Sequence, residues 1–158
     1  MVEIRRARMD ERDAISAVHA TAVQNVPPIA YDEKELAAWE ASLSSVSYAI
    51  DEGKSLFLVA EEETNIIGFG EARLDETELV KLYVHPEHQD QGVATRLLER
   101  IETGLRSRGA DSVYVESSVN AAPFYERNGF DRIGTHQKTI ASDKTTVEML
   151  VIDMVKSL

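Results

Sequence analysis

Two short stretches of this chain hold residue types whose spacing suits chemistry. The first runs Glu78-Leu-Val-Lys-Leu-Tyr-Val-His-Pro-Glu-His-Gln89-Asp-Gln-Gly92-Val-Ala94-Thr-Arg96. Leu79 to Val84 is β-branched and apolar enough for a buried strand. His85-Pro86 stops it, because proline gives no N–H to a ladder and restrains the residue before it. Beyond Gly92, the residues Val93, Leu97, Ile101 and Leu105 recur every four positions with Ala94 and Leu98 beside them, the apolar stripe of a helix. Strand, polar loop with glycine, then helix is an arrangement that binds phosphate. Free backbone N–H groups and the positive end of the helix dipole converge where a pyrophosphate can sit. The pattern Gln/Arg-x-x-Gly-x-Gly/Ala, met by Gln89, Gly92 and Ala94, also fits an ordinary strand-to-helix turn. Its place between a strand and a helix gives it weight. Neither the full G-x-x-x-x-G-K-S/T pattern (Gly53-Lys54-Ser55 has Tyr48 where its first glycine belongs) nor G-x-G-x-x-G occurs, so the nucleotide P-loop and the dinucleotide fold find no support.

The second stretch, Ser117-Ser118-Val-Asn120-Ala121-Ala-Pro123-Phe124-Tyr125-Glu-Arg-Asn128-Gly129-Phe130, follows a strand-like run from Val113 to Glu116. Together the two stretches resemble the GNAT superfamily of acetyl-CoA-dependent N-acetyltransferases. The first is similar to its acyl-CoA-binding motif and the second to its Ala-x-x-Phe-Tyr-x-x-x-Gly-Phe motif. The likeness is close over about residues 55 to 135 and loose at both ends.

What the resemblance implies can be stated residue by residue. The fold would be a three-layer α-β-α sandwich whose mixed, mostly antiparallel sheet has splayed middle strands. Acetyl-CoA would be the acyl donor, with no metal. Its pantetheine arm would pair with the backbone of Leu82, Tyr83 and Val84 in the manner of an added strand. One N–H there would face the thioester oxygen and stabilise its developing charge. The pyrophosphate would rest on the N–H groups of Asp90, Gln91, Gly92, Val93, Ala94 and Thr95, helped by Arg96. Gly92 and Ala94 are small because bulk would block close approach. Tyr125 would give its phenolic proton to the departing thiolate. Many relatives have asparagine seven residues before that tyrosine, where it contacts the cofactor arm. This chain has Ser118 there and Asn120 two residues later, so either can make the contact.

An amine with a pKa near 10.4 arrives protonated at neutral pH, so a base assists its attack. Glu78 stands eleven residues before Gln89, the register of the general-base carboxylate in the histone-acetyltransferase branch. On a regular strand it shares a face with Val80, Leu82 and Val84, and partial burial would raise its pKa. Glu71 is the second candidate. His85 and His88 are candidates because histidine as a residue type suits proton transfer, but beside Pro86 they read as loop residues.

The remaining elements must hold these groups in place. Val2 to Arg6 alternates as a first strand. Asp10 is placed to cap a helix whose apolar positions are Ala14, Ile15, Val18 and Ala22. Pro27-Pro28 ends that segment. Asp32 with Glu35 opens a short helix bearing Leu36, Trp39 and Leu43, and Tyr31 through Trp39 is a candidate wall for an acceptor. Leu56 to Ala60 and Ile66 to Leu74 read as a hairpin, and so do Phe130 to His136 and Thr146 to Met154.

At 158 residues the chain suits a single domain, 1–158, with one substantial core. No cysteine is present, so disulfides and thiolate metal sites are excluded. The absence of a signal-like or spanning apolar run points to a cytoplasmic protein with no membrane partner. A net charge of −11 argues against nucleic acid. The same charge suits a cationic acceptor, or simply a soluble surface. A homodimer is the commonest symmetric assembly for such a chain. The sequence therefore points to an N-acetyltransferase acting on a primary amine of a small molecule or peptide. The competing class is a non-catalytic acyl-CoA-binding or sensing module, which would need neither Tyr125 nor Glu78.

Overall fold

A computed structural model describes residues 1–158. In chain order the elements are β1 (Val2–Arg6), α1 (Arg12–Gln24), α2 (Glu33–Ser42), β2 (Ser55–Glu62), β3 (Asn65–Arg73), β4 (Glu78–Val84), α3 (Val93–Arg106), β5 (Ser112–Ser118), α4 (Ala122–Arg127), β6 (Asp131–Ala141) and β7 (Thr146–Ser157). The strands form one sheet in the order β1-β2-β3-β4-β5-β7-β6. Every neighbouring pair is antiparallel except β4 and β5. That parallel pair holds register at just Glu78↔Tyr114 and Leu79↔Val115. Beyond those two rungs the strands diverge, which is the splay anticipated from the resemblance.

Helices cover both faces. On one, α3 buries Leu97, Leu98, Ile101 and Leu105 against Leu56, Leu58, Ala72 and Leu79. Each of those α3 side chains contributes about 1.5–3 kcal/mol relative to exposure. The helix lies close to the sheet because residue 104 is glycine; a Cβ there would meet Leu56 Cδ2 at 2.5 Å. On the other face, α1 buries Ile15 and Val18 against Tyr48, Phe57, Val59 and Phe69. Helix α2 packs over β6 and β7. No helix is long and apolar enough to cross a membrane.

Two local expectations fail. Asp10 does not cap α1: it lies in a 3-10 turn, Met9–Glu11. It is the Glu11 carboxylate that takes the N–H of Arg8 at 2.7 Å and binds Arg5 through Nη1 at 3.0 Å. Those bonds hold the turn that precedes α1, and no side chain caps the helix itself. Ala14, expected on the apolar stripe, is exposed, while His19 is buried in its place. The second failure concerns β4. Glu71 stands opposite Lys81, whereas Ala72 stands opposite Leu79. Val80 is thus an extra residue, a β-bulge that reverses the alternation of side chains. Leu79, Leu82 and Val84 all pack toward α3, so Glu78 does not share their face.

Candidate functional site

The loop after β4 is built from ordered turns. His85 caps a 3-10 turn, Pro86–His88, its Nδ1 accepting the N–H of Glu87 at 3.1 Å. That use of the ring accounts for His85. Gln89 then donates Nε2–H to the carbonyl of Val84 at 3.2 Å, tying the loop to the end of its strand. Asp90 (φ 61°) and Gly92 (φ 80°) both take the left-handed conformation. Glycine has no steric penalty there, and a Cβ at Gly92 would find no atom within 4 Å. The side facing Gly92 is therefore open. Arg96 is the first residue of α3 whose N–H is bonded back, to the Gly92 carbonyl at 3.0 Å. The N–H groups of Asp90 through Thr95 have no protein acceptor. Alternation of left- and right-handed residues makes such a row a concave anion nest.

These groups border a cavity of about 590 Å³. Leu82, Tyr83, Val84, Gln89, Asp90, Gly92, Val93, Ala94, Thr95, Ser118, Asn120 and Tyr125 all line it. Gln91 and Arg96 do not; both are exposed to solvent outside it. The fixed cation in the lining is Arg127, two residues beyond Tyr125. His88 also reaches the cavity. Sequence reading overlooked Arg127, although its place inside the Phe-Tyr-x-x-x-Gly-Phe run was a usable signal.

A second cavity of about 160 Å³ opens on the other side of the splay. Trp39, Leu82, Tyr83, Ser118, Ala121 and Tyr125 belong to both linings, so the two spaces meet there. Tyr125 sits on α4 at that meeting point with 6% exposure. Phe124 and Phe130 hold its ring edge-on, at centroid distances of 5.2 and 5.3 Å. Burial pushes its phenol above the ordinary tyrosine range, and Tyr83 adds to the effect. The hydroxyl thus stays protonated at neutral pH, as a proton donor must.

The expected wall of the smaller cavity is in place. Tyr31 donates its hydroxyl hydrogen to the Leu150 carbonyl at 2.6 Å and accepts the N–H of Val119 at 2.9 Å. Trp39 stands edge-on to it, with ring centroids 6.2 Å apart. One polar pair was not foreseen. Glu116 at the end of β5 and Lys138 on β6 both line the cavity and are joined at 2.7 Å.

The proposed bases lie elsewhere. Glu78 lines neither cavity; it pairs in register with Tyr114, two residues before Glu116 on β5. Burial raises its carboxyl pKa, partly offset by Arg73. Glu71 is 3% exposed with both oxygens engaged. Oε1 takes Lys81 at 3.0 Å and Oε2 takes the Ser55 hydroxyl at 3.1 Å. A carboxylate so occupied holds strands together rather than accepting a substrate proton.

The cavities and the nest gain meaning from comparison with known proteins. The family model for an acetyltransferase (GNAT) domain matches residues 28–151. A ribosomal protein bS18-alanine N-acetyltransferase from Haemophilus ducreyi is 36% identical over 85 residues, 51% of this chain. That match spans 59% of the relative's own length. Among solved structures, a GCN5-related N-acetyltransferase from Rhodopseudomonas palustris superimposes with a TM-score of 0.82 at 23% identity, covering 99% of this chain and 95% of that one. The PaiA N-acetyltransferase from Thermoplasma acidophilum, solved in complex with coenzyme A, gives 0.76 at 19% identity over 100% and 99% of the two chains. Likenesses at those identities show the shared fold.

Proposed function

This chain belongs to the GNAT acetyltransferase family, and from that premise we propose that it moves an acetyl group from acetyl-CoA directly to a primary amine. Residues 1–158 act as one catalytic domain, in the cytoplasm, on a small molecule or a peptide. The observation that carries this reading is Tyr125, a buried phenol at the junction of two cavities. A module that merely bound acyl-CoA would have no use for it.

The residues fit the donor. The unpaired N–H row from Asp90 to Thr95 suits a pyrophosphate, and Arg127 can offset further phosphate charge. In an acidic protein, backbone donors matter more than a broad basic patch. When bound, acetyl-CoA supplies the acetyl group and a thiol leaving group. Leu82 to Val84 lie where its arm would run, and Ser118 and Asn120 both face the same cavity. Tyr125 holds a proton for the sulfur. Glu78, which lines neither cavity, is the carboxylate proposed to take the amine's surplus proton by way of water, its basicity raised by burial. The relative from Haemophilus ducreyi carries a name that specifies an alanine of a ribosomal protein. It favours a peptide amine among the acceptors to try.

The test is a calorimetric titration with acetyl-CoA, followed by thiol release across a panel of amines and alanine-led peptides. Micromolar binding with amine-dependent thiol release is expected. A protein that binds no acetyl-CoA overturns the reading; one that binds it but acetylates nothing belongs to the sensing class.

A further inference from the structure

Glu116 is the carboxylate in the lining of the smaller cavity, and it does not stand alone. Its Oε1 takes Lys138 Nζ at 2.7 Å, and its Oε2 lies 3.1 Å from Nε2 of His136. The other ring nitrogen, Nδ1, lies 2.9 Å from Asp153 Oδ2. Asp153 in turn accepts the phenolic hydrogen of Tyr114. Three adjacent strands meet here: Tyr114 and Glu116 on β5, Asp153 on β7, His136 and Lys138 on β6. The charges acting on His136 are those of Asp153 and Glu116. Glu78, from β4, reaches the cluster through Tyr114 and Glu116. Val151, opposite His136 in register, is apolar.

The proton on His136 decides what Glu116 can bind. With the imidazolium present, two carboxylates face two cations and the cluster is neutral. When the proton leaves and Nδ1–H stays on Asp153, the bare Nε2 lone pair faces Glu116 Oε2. Two acceptors then oppose each other with no hydrogen between them. A primary ammonium carries three donors and no acceptor, so it can bond both groups at once. Of the rest of the lining, Lys81, Ser117 and Ser118 are polar, with Lys81 held by Glu71 at 3.0 Å, and the others are apolar or aromatic, Trp39, Ile140 and Met149 among them. An amine with an apolar body and a cationic head matches it.

Building on the acetyltransferase reading, we infer that Glu116 anchors the acceptor as a primary ammonium ion and that the proton of His136 competes for the same anchor. Hydrogen bonds to Asp153, and then to Glu116, raise the pKa of His136 above its ordinary value. Competition therefore extends toward neutral pH. The sign follows: acceptor affinity rises with pH until His136 is deprotonated, then levels.

The experiment saturates the protein with CoA and titrates 2-phenylethylamine, which stays cationic, between about pH 5.5 and 8.5, where histidine titrates. 2-Phenylethanol serves as the uncharged control. Amine affinity should climb about tenfold per pH unit at the acidic end and flatten above. The alcohol should bind weakly and without pH dependence. Glu116→Gln, which keeps the shape, should weaken the amine by about tenfold to a hundredfold, the scale of a hydrogen bond to a charged group. His136→Gln should leave an affinity that does not change with pH. Lys138→Met, which removes a competing cation, should tighten the amine. An amine that binds no better than the alcohol, or with the same affinity at every pH, overturns the inference. If CoA itself fails to bind, the acetyltransferase reading falls instead, so the two failures are distinct.

Discussion

The larger cavity, where we propose that acetyl-CoA binds, draws its donors from the backbone of one continuous stretch, Asp90 to Thr95, whereas the smaller cavity, proposed for the acceptor, draws its polar groups from side chains far apart in the chain. Tyr31 reaches Leu150 across 119 positions, and Lys138 reaches Glu116 across 22. A backbone site asks little of the residues: one glycine tolerating φ of 80°, and small neighbours. A side-chain site depends on each residue's chemistry. The first kind is therefore fixed by local sequence, while the second can change with single substitutions and the fold undisturbed.

The contrast is sharpest where a backbone site is given a side chain. Gly92→Glu puts a carboxylate where the nest faces open space, and like-charge contact costs several kcal/mol. Acetyl-CoA affinity should fall by about a thousandfold in calorimetry, while the left-handed φ costs the variant about 1 kcal/mol of stability and its circular dichroism keeps the native shape. Retained binding would mean the donors are elsewhere. Tyr125→Phe, where the cavities meet, should lower kcat by about a hundredfold, the scale of general acid catalysis. Acetyl-CoA affinity should stay within about twofold, because only a hydroxyl is lost. Equal loss in both would end its role as acid.

Changes on the acceptor side should leave the cofactor untouched. Tyr31→Phe strands the Leu150 carbonyl and the Val119 N–H, which lose stability of about 2 kcal/mol. It should raise the acceptor KM while the acetyl-CoA KM stays level; a rise in both would dissolve the division between the cavities. The smallest effect is expected from Glu78→Gln. Its folded pKa is raised, so its base form is lost as pH falls through that value. Wild-type kcat/KM should drop on the acid side and the variant should not. Identical profiles would remove Glu78 as base.

The elements that the sequence made legible were the local ones. The α3 stripe of Val93, Leu97, Ile101 and Leu105, the Asp32–Glu35 capping box and the Gly92 turn each depend on residues a few positions apart. The bulge at Val80 does not. No glycine or proline marks it, and it exists because of how β4 meets β3. That single extra residue separates Glu78 from the face of Leu82 and Val84. Glu71 looked like a free carboxylate until folding brought Lys81 and Ser55 to it. Glu116 drew no notice because its partners lie on β6, beyond α4. Asp10 does not cap α1 because a 3-10 turn, held by Glu11 with Arg5 from β1, comes before the helix.

The two rungs between β4 and β5 have a mechanical meaning as well. They are the direct strand-to-strand seam between a plate of four strands and a plate of three. A ligand seated across that seam works as a rivet. Occupancy should raise the unfolding temperature by mass action, growing with the logarithm of ligand concentration. It should also slow amide hydrogen exchange on β5, the strand across the seam from β4, because separating the plates then requires the ligand to leave.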